Sequence, residues 1–172
     1  NGGQNCRAVL MLPAVTGAWG TLGGGALLST GGSYGFNTAA LERADLLARH
    51  AQRPRTINMI QLADALNDVT DPPVKALFVY NSNPANVAPD GNRVRRGLER
   101  DDLFTVVHEH LMTDTARYAD IVLPATTAFE HSDLYRSYGH LYVALSRPAL
   151  PPQGEALPNT EVFRRVAAAM GL

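Results

Sequence analysis

The chain has 172 residues, 45% of them hydrophobic and 18% charged, with a formal net charge of −1. That is enough apolar material for one domain with a buried core, and the charge gives no electrostatic case for a nucleic acid or an anionic membrane as partner. The single cysteine, Cys6, rules out an internal disulfide and favours a reducing compartment such as the cytoplasm, while leaving the periplasm open.

No apolar run approaches the roughly 20 residues that a membrane-spanning helix needs, so no membrane insertion by this segment is expected. No charged stretch followed by an apolar one opens the chain. It begins Asn1-Gly2-Gly3 and closes on a helix-like segment, and both ends lead us to expect a domain excised from a longer protein.

Residues 7–18 are mostly apolar and read as the start of a buried helix that Pro13 interrupts. The glycine cluster Gly17, Gly20, Gly23, Gly24 and Gly25 follows, and predicts a backbone with positive φ angles or one that comes close to something else. A second cluster is Gly31, Gly32 and Gly35. Residues 38–50 have helical spacing, with Asn37 or Thr38 as N-cap. Residues 59–66 read as a short helix with Ile60, Ala63 and Leu66 on one face.

From Asp71 the pattern sharpens. Asp71-Pro72-Pro73 is a turn, and 74–80 is an apolar run that reads as a buried parallel strand. A helix is predicted within 87–100, where Val94 and Leu98 are spaced i, i+4. Residues 103–107 read as a second strand, 112–118 as a short helix capped by Thr113 or Asp114, and 120–124 as a third, very short strand. This alternation predicts an α/β fold: a doubly wound, mostly parallel, Rossmann-like sheet with helices on both faces. Residues 141–145 read as an edge strand, and a loop rich in proline leads to a last helix from Thr160. The whole chain, 1–172, reads as one domain.

In an open α/β sheet, ligands bind outside the carboxyl ends of the strands. The peptide Asn81-Ser82-Asn83-Pro84-Ala85 leaves the first strand at that edge. Asparagine amides donate and accept, which suits a nucleobase or a sugar; asparagine and proline also make plain turns. His108-Glu109-His110 and Thr113-Asp114-Thr115 follow the second strand at the same edge. The threonine hydroxyls near a helix start suit a phosphate or simple capping. His108 and His110 are compatible with a metal, but Met112 stands where HExxH needs histidine, and no metal ligand is assigned.

Three other features carry competing readings. Gly31-Gly32-Ser33-Tyr34-Gly35 fits GxSxG, the elbow of a serine hydrolase, with Ser33 as nucleophile and residues such as Asp120 and His131 as partners; a flexible glycine loop fits it as well. Gly20-Thr21-Leu22-Gly23-Gly24-Gly25 is neither GxGxxG nor a phosphate loop, yet it would let backbone approach a flat ligand. Glu130-His131-Ser132-Asp133 lines the same cleft or forms a solvated loop.

Several stretches, in order, resemble the molybdopterin oxidoreductase family, which includes dimethyl sulfoxide reductases, nitrate reductases and formate dehydrogenases. They are Leu12-Pro13-Ala14-Val15-Thr16-Gly17 with Gly23-Gly24-Gly25, residues 74–85, residues 103–109, Met112-Thr113-Asp114-Thr115-Ala116, residues 119–124 with Glu130, and Gly154-Glu155. The resemblance implies an α/β domain that holds part of a bis(molybdopterin guanine dinucleotide) cofactor carrying molybdenum or tungsten. It implies that Asn81, Asn83, Pro84, Ala85, His108, Glu109, Thr113 and Thr115 line the dinucleotide site. Asp120 is a further contact or a brace for its strand, and Gly23, Gly24 and Gly25 approach the pterin.

The resemblance also implies partners: the remaining domains of a parent enzyme and electron-transfer subunits. The family's cysteine cluster for a 4Fe–4S centre is not in these residues and is expected in another part of the parent. Family members occur on both sides of the bacterial membrane. Alone, the segment is expected to be catalytically inactive. A small serine hydrolase and a stand-alone nucleotide-binding module are the alternatives.

Overall fold

The computed structural model describes residues 2–27, 32, 34–42, 44–48, 54–137 and 140–172. Where the sequence reads as one domain, the chain groups into two compact units: residues 1–44 with 134–144, and residues 45–133 with 145–172.

In the first unit, α1 (Gly2–Val15) runs through Pro13 and buries none of its residues. The expectation of a buried, interrupted helix is therefore corrected on both points. Proline removes one donor and crowds only the carbonyl four residues back, and α1 ends two residues later, so little helix remains to be lost. A 3-10 turn, Ala18–Gly20, leads into the glycine loop. The short helices α2 (Thr38–Glu42) and α3 (Ala44–Leu47) follow, the second lying at the border of the two units. The Asn37 side chain accepts the Ala40 N–H at 3.2 Å, the cap the sequence leads one to expect. The Tyr34 hydroxyl donates towards the His140 carbonyl at 2.7 Å. Strands β4 (Asp133–Arg136) and β5 (Val143–Ser146) pair in a two-stranded sheet, so the predicted edge strand near 141–145 pairs with β4 and lies outside the parallel sheet.

The second unit contains the parallel sheet. A 3-10 turn at Met59–Gln61, capped by the Asn58 side chain, leads into α4 (Leu62–Asn67). Then come β1 (Ala76–Tyr80), α5 (Pro84–Val87), α6 (Gly91–Leu98), β2 (Phe104–Glu109), a 3-10 turn at Thr115–Tyr118 and β3 (Ile121–Pro124). The last helix is α7 (Asn159–Ala169). The strands lie in the order β1-β2-β3 and all run parallel. Tyr80 stands beside His108, and His108 beside Leu123.

Side chains alternate across a strand, so this register sorts them by face. Leu77 and Val79 look to one side, where Leu66 of α4 and Val94 and Leu98 of α6 form the main core. Phe78 and Tyr80 look to the other, where Phe163 of α7 packs against them with ring centroids 5.3 and 4.9 Å away. The sheet thus carries helices on both faces, as the alternating pattern predicts. Ile60, placed with Ala63 and Leu66 on one helical face by the sequence, is exposed, while the other two are buried; the 3-10 turn that holds it breaks the 3.6-residue period. Arg93 ties α6 to α4 by pairing with Asp64 at 2.7 Å and Asp68 at 2.5 Å.

Candidate functional site

The parallel strands all end at one edge, and a cleft of about 570 Å³ opens there. Asn81 comes from the end of β1, His110 from the end of β2, Thr126 and Thr127 from just past β3, and Asn159 and Thr160 from the start of α7. The topology explains the convergence: parallel strands deliver their following loops to one edge. The wall mixes polar side chains with Ala128, Phe129 and Pro158, and carries no lysine or arginine among the described residues. Its amides, hydroxyls and imidazoles suit a polar ring and a sugar.

Several of these groups are held in place. Asn81 has φ of 52°, in the left-handed region that asparagine tolerates better than most side chains. The Glu109 carboxylate accepts the His110 N–H at 2.9 Å and lies 3.0 Å from its Nδ1. That orients the His110 ring and leaves Nε2 free of this contact. The His131 Nδ1 is 2.9 Å from the Thr126 hydroxyl, and both residues line the cleft.

The remaining residues singled out by the resemblance stand behind or away from this wall. Asn83, Ala85 and Thr115 bond to one another: Asn83 Oδ1 accepts from the Thr115 N–H and hydroxyl, and Thr115 Oγ1 accepts the Ala85 N–H at 3.0 Å. Pro84 is buried at the first turn of α5 and borders a second, apolar groove beside β1. Thr113 accepts the Ala116 N–H at 3.2 Å, the capping role. His108 is fully buried on the α7 side, with Nε2 3.1 Å from the Leu157 carbonyl and no partner for Nδ1 among the described residues. Asp120 precedes β3, at the opposite edge of the sheet, and its Oδ2 accepts the Thr105 N–H at 2.6 Å; it braces its strand.

Gly23, Gly24 and Gly25 belong to the first unit. Gly24 has no room for a side chain, because a Cβ would lie 2.0 Å from the Ala18 carbonyl oxygen. The loop is therefore folded tightly on itself.

Ser33, the nucleophile of the hydrolase reading, lies outside the described residues. Its candidate partners Asp120 and His131 sit at opposite ends of β3, so they cannot serve one serine together. Among the described residues no group of three or more His, Cys, Asp or Glu is placed to hold a metal ion.

No sequence motif marks Thr126, Thr127, Asn159 and Thr160, although the rule that points to Asn81 also points to them. Thr126 and Thr127 come one residue after a strand, and Asn159 opens a helix after Pro158. His131, Ser132 and Asp133, open in the sequence between cleft and solvated loop, line the cleft.

Comparison with known proteins identifies the family. The molybdopterin oxidoreductase family model matches residues 1–169. Over 171 residues, 99% of its length, the chain is 53% identical to the "Probable oxidoreductase YoaE" of Bacillus subtilis, of which it covers 25%. It is 35% identical over 107 residues to the trimethylamine-N-oxide reductase of Haemophilus influenzae, covering 61% of this chain and 13% of that one. Its structure is similar to acetylene hydratase from Pelobacter acetylenicus, with a TM-score of 0.59 and 28% identity over 70% of this chain and 16% of that chain. The chain thus spans about a quarter or less of the length of these relatives. The chain belongs to the molybdopterin oxidoreductase family.

Proposed function

We propose that the cleft at the strand ends grips the guanine dinucleotide portion of a molybdopterin cofactor, and that the chain is the gripping part of a molybdenum- or tungsten-dependent oxidoreductase. The observation that carries this reading is the convergence of the polar side chains Asn81, His110, Thr126 and Asn159 on one cleft. Its volume lies in the range of small-molecule and cofactor sites.

The donor set fits the group. Asn81 and Asn159 offer amides that donate and accept, as the edge of a guanine does. The hydroxyls of Thr126, Thr127 and Thr160 suit ribose oxygens. His110, oriented by Glu109, presents a ring nitrogen to the same space. Asn83, Ala85 and Thr115 act from behind, by locking the loops after β1 and β2 to each other. When bound, the cofactor supplies the redox centre; this chain supplies position and electrostatic surroundings. The loop at Gly23–Gly25 is assigned to the pterin side, on the strength of the family resemblance.

It follows that the chain alone does no redox chemistry. The 4Fe–4S cluster, the other walls of the cofactor site and any electron-transfer subunit belong to the rest of the parent protein and its partners.

The test is to purify the full-length protein, release its cofactor with acid, and measure guanine nucleotide and molybdenum or tungsten per chain. The expected result is nucleotide and metal together, both reduced in Asn81→Ala. A protein that carries metal and pterin but no guanine nucleotide overturns the reading. One that binds free guanine nucleotides with no preference for the pterin form instead supports a plain nucleotide-binding module.

A further inference from the structure

We propose that Glu130 is a positioning residue that holds one wall of the cleft in its binding shape. The inference rests on the nucleotide reading above. Glu130 is 7% exposed and does not itself line the cleft. Its Oε2 accepts the Thr127 N–H at 2.7 Å and the Thr127 hydroxyl at 2.8 Å. Its Oε1 accepts the Gln153 N–H at 2.9 Å. One carboxylate therefore clamps the loop after β3 to the loop that leads into α7.

The residues that the clamp fixes are cleft residues. Thr127 lines the cleft, and so do Phe129 and His131 on either side of Glu130. The same two loops meet again where the Phe129 carbonyl accepts the Ala149 N–H at 2.8 Å, and where the Leu157 carbonyl accepts the Thr126 N–H at 3.3 Å. Glu130 joins these contacts from the centre of the loop.

The chemistry calls for an ionised carboxylate. Three donors arrive at two oxygens, and glutamine offers only one accepting oxygen. The Thr127 N–H, then the Thr127 hydroxyl and the Gln153 N–H, with His131 nearby, hold the Glu130 carboxyl below its ordinary range. Burying a carboxylate is costly unless it is well bonded, and an apolar residue would suffice for packing alone. The carboxylate is explained by what it orients: a wall built before the ligand arrives lowers the ordering cost of binding.

The experiment uses the full-length protein loaded with its cofactor. Wild type, Glu130→Gln and Arg93→Gln are compared for acid-released guanine nucleotide per chain, for the rate at which it is lost on incubation, and for Tm. Arg93 joins α4 to α6 outside the cleft, so its variant reports lost stability alone. Glu130→Gln is expected to lose nucleotide about tenfold faster or more, as removal of supporting contacts commonly does at cofactor sites. Arg93→Gln, at a comparable fall in Tm, keeps it.

Retention in Glu130→Gln equal to wild type overturns the inference and leaves the nucleotide reading standing. Loss that follows Tm equally in both variants also overturns it. A wild type with no guanine nucleotide sinks the nucleotide reading and this inference with it.

If Glu130→Gln does not accumulate, hydrogen exchange on wild type decides, because linkage is reciprocal. The Thr127 and Gln153 amides should exchange several-fold faster once the cofactor is removed. Equal protection with and without cofactor overturns the proposal.

Discussion

The Asn83 side-chain oxygen accepts two hydrogen bonds from Thr115, one from its N–H at 3.1 Å and one from its hydroxyl at 2.8 Å. The Thr115 oxygen in turn accepts the Ala85 N–H. Two motifs that stand far apart in the sequence thus close on each other past the ends of β1 and β2. Thr115 and Ala85 are both buried, so the Ala85 N–H has no water to turn to. Replacing Thr115 with valine keeps the shape and removes the hydroxyl. Thr115→Val should cost about 1–3 kcal/mol, the penalty for leaving buried groups unpaired, while Thr115→Ser should cost far less. Urea unfolding of the three proteins reads this directly, and equal midpoints would show that the lock is dispensable.

Asn81 offers a way to separate backbone from side chain. Its φ of 52° strains most residues by roughly 1–2 kcal/mol but not glycine. Asn81→Gly should therefore match wild type in stability, and Asn81→Ala should lose about 1 kcal/mol. Both remove the amide, so both should weaken retention of guanine nucleotide. Tm together with nucleotide content distinguishes the effects. Full retention in Asn81→Gly would mean that only the backbone of this residue matters.

The sheet was legible because its strands are short apolar runs bounded by strong breakers, Asp71-Pro72-Pro73 before β1 and Asn83-Pro84 after it. The edge that carries the cleft was legible too, since parallel topology delivers Asn81 and His110 there. What sequence could not supply was which polar groups satisfy one another. Asn83 and Thr115 look like ligand residues until their mutual bonds are seen, and those bonds join positions 32 apart. Nor could it show that α7 returns to the strand ends and brings Asn159 and Thr160 with it. The exposure of α1 was hidden for a related reason: an apolar run signals a surface to be covered without saying what covers it.

Gly97 lets α6 lie close against α4. A Cβ there would lie 2.6 Å from the Leu66 Cβ, and Leu66 is a core residue. No rotamer change can relieve a clash between two Cβ atoms, so the helices must move apart. Gly97→Ala should gain a little helix propensity and lose more to overpacking, for a net cost of about 1–3 kcal/mol. Chemical denaturation measures the sum, and a stabilised variant would mean that the helices separate freely.

Glu161 stands in the first turn of α7 and bonds to Arg164 at 2.7 Å and to Arg165 at 2.7 Å. These bonds, that to Arg164 first, hold its carboxyl down at about 2, from an ordinary 4.5. A carboxylate at a helix start is also favoured by the exposed N–H groups there. Because the folded value lies below the unfolded one, the contribution is fully present above the ordinary value and disappears as pH falls through about 2. Glu161→Gln should therefore be less stable than wild type at pH 7, with the gap narrowing below pH 4.5 and closing near pH 2. Urea midpoints for both proteins across that range test it. A gap that stays constant with pH would assign the loss to helix geometry and not to charge. The readout bears on the cleft as well, since the turn that Glu161 steadies is the one that presents Asn159 and Thr160.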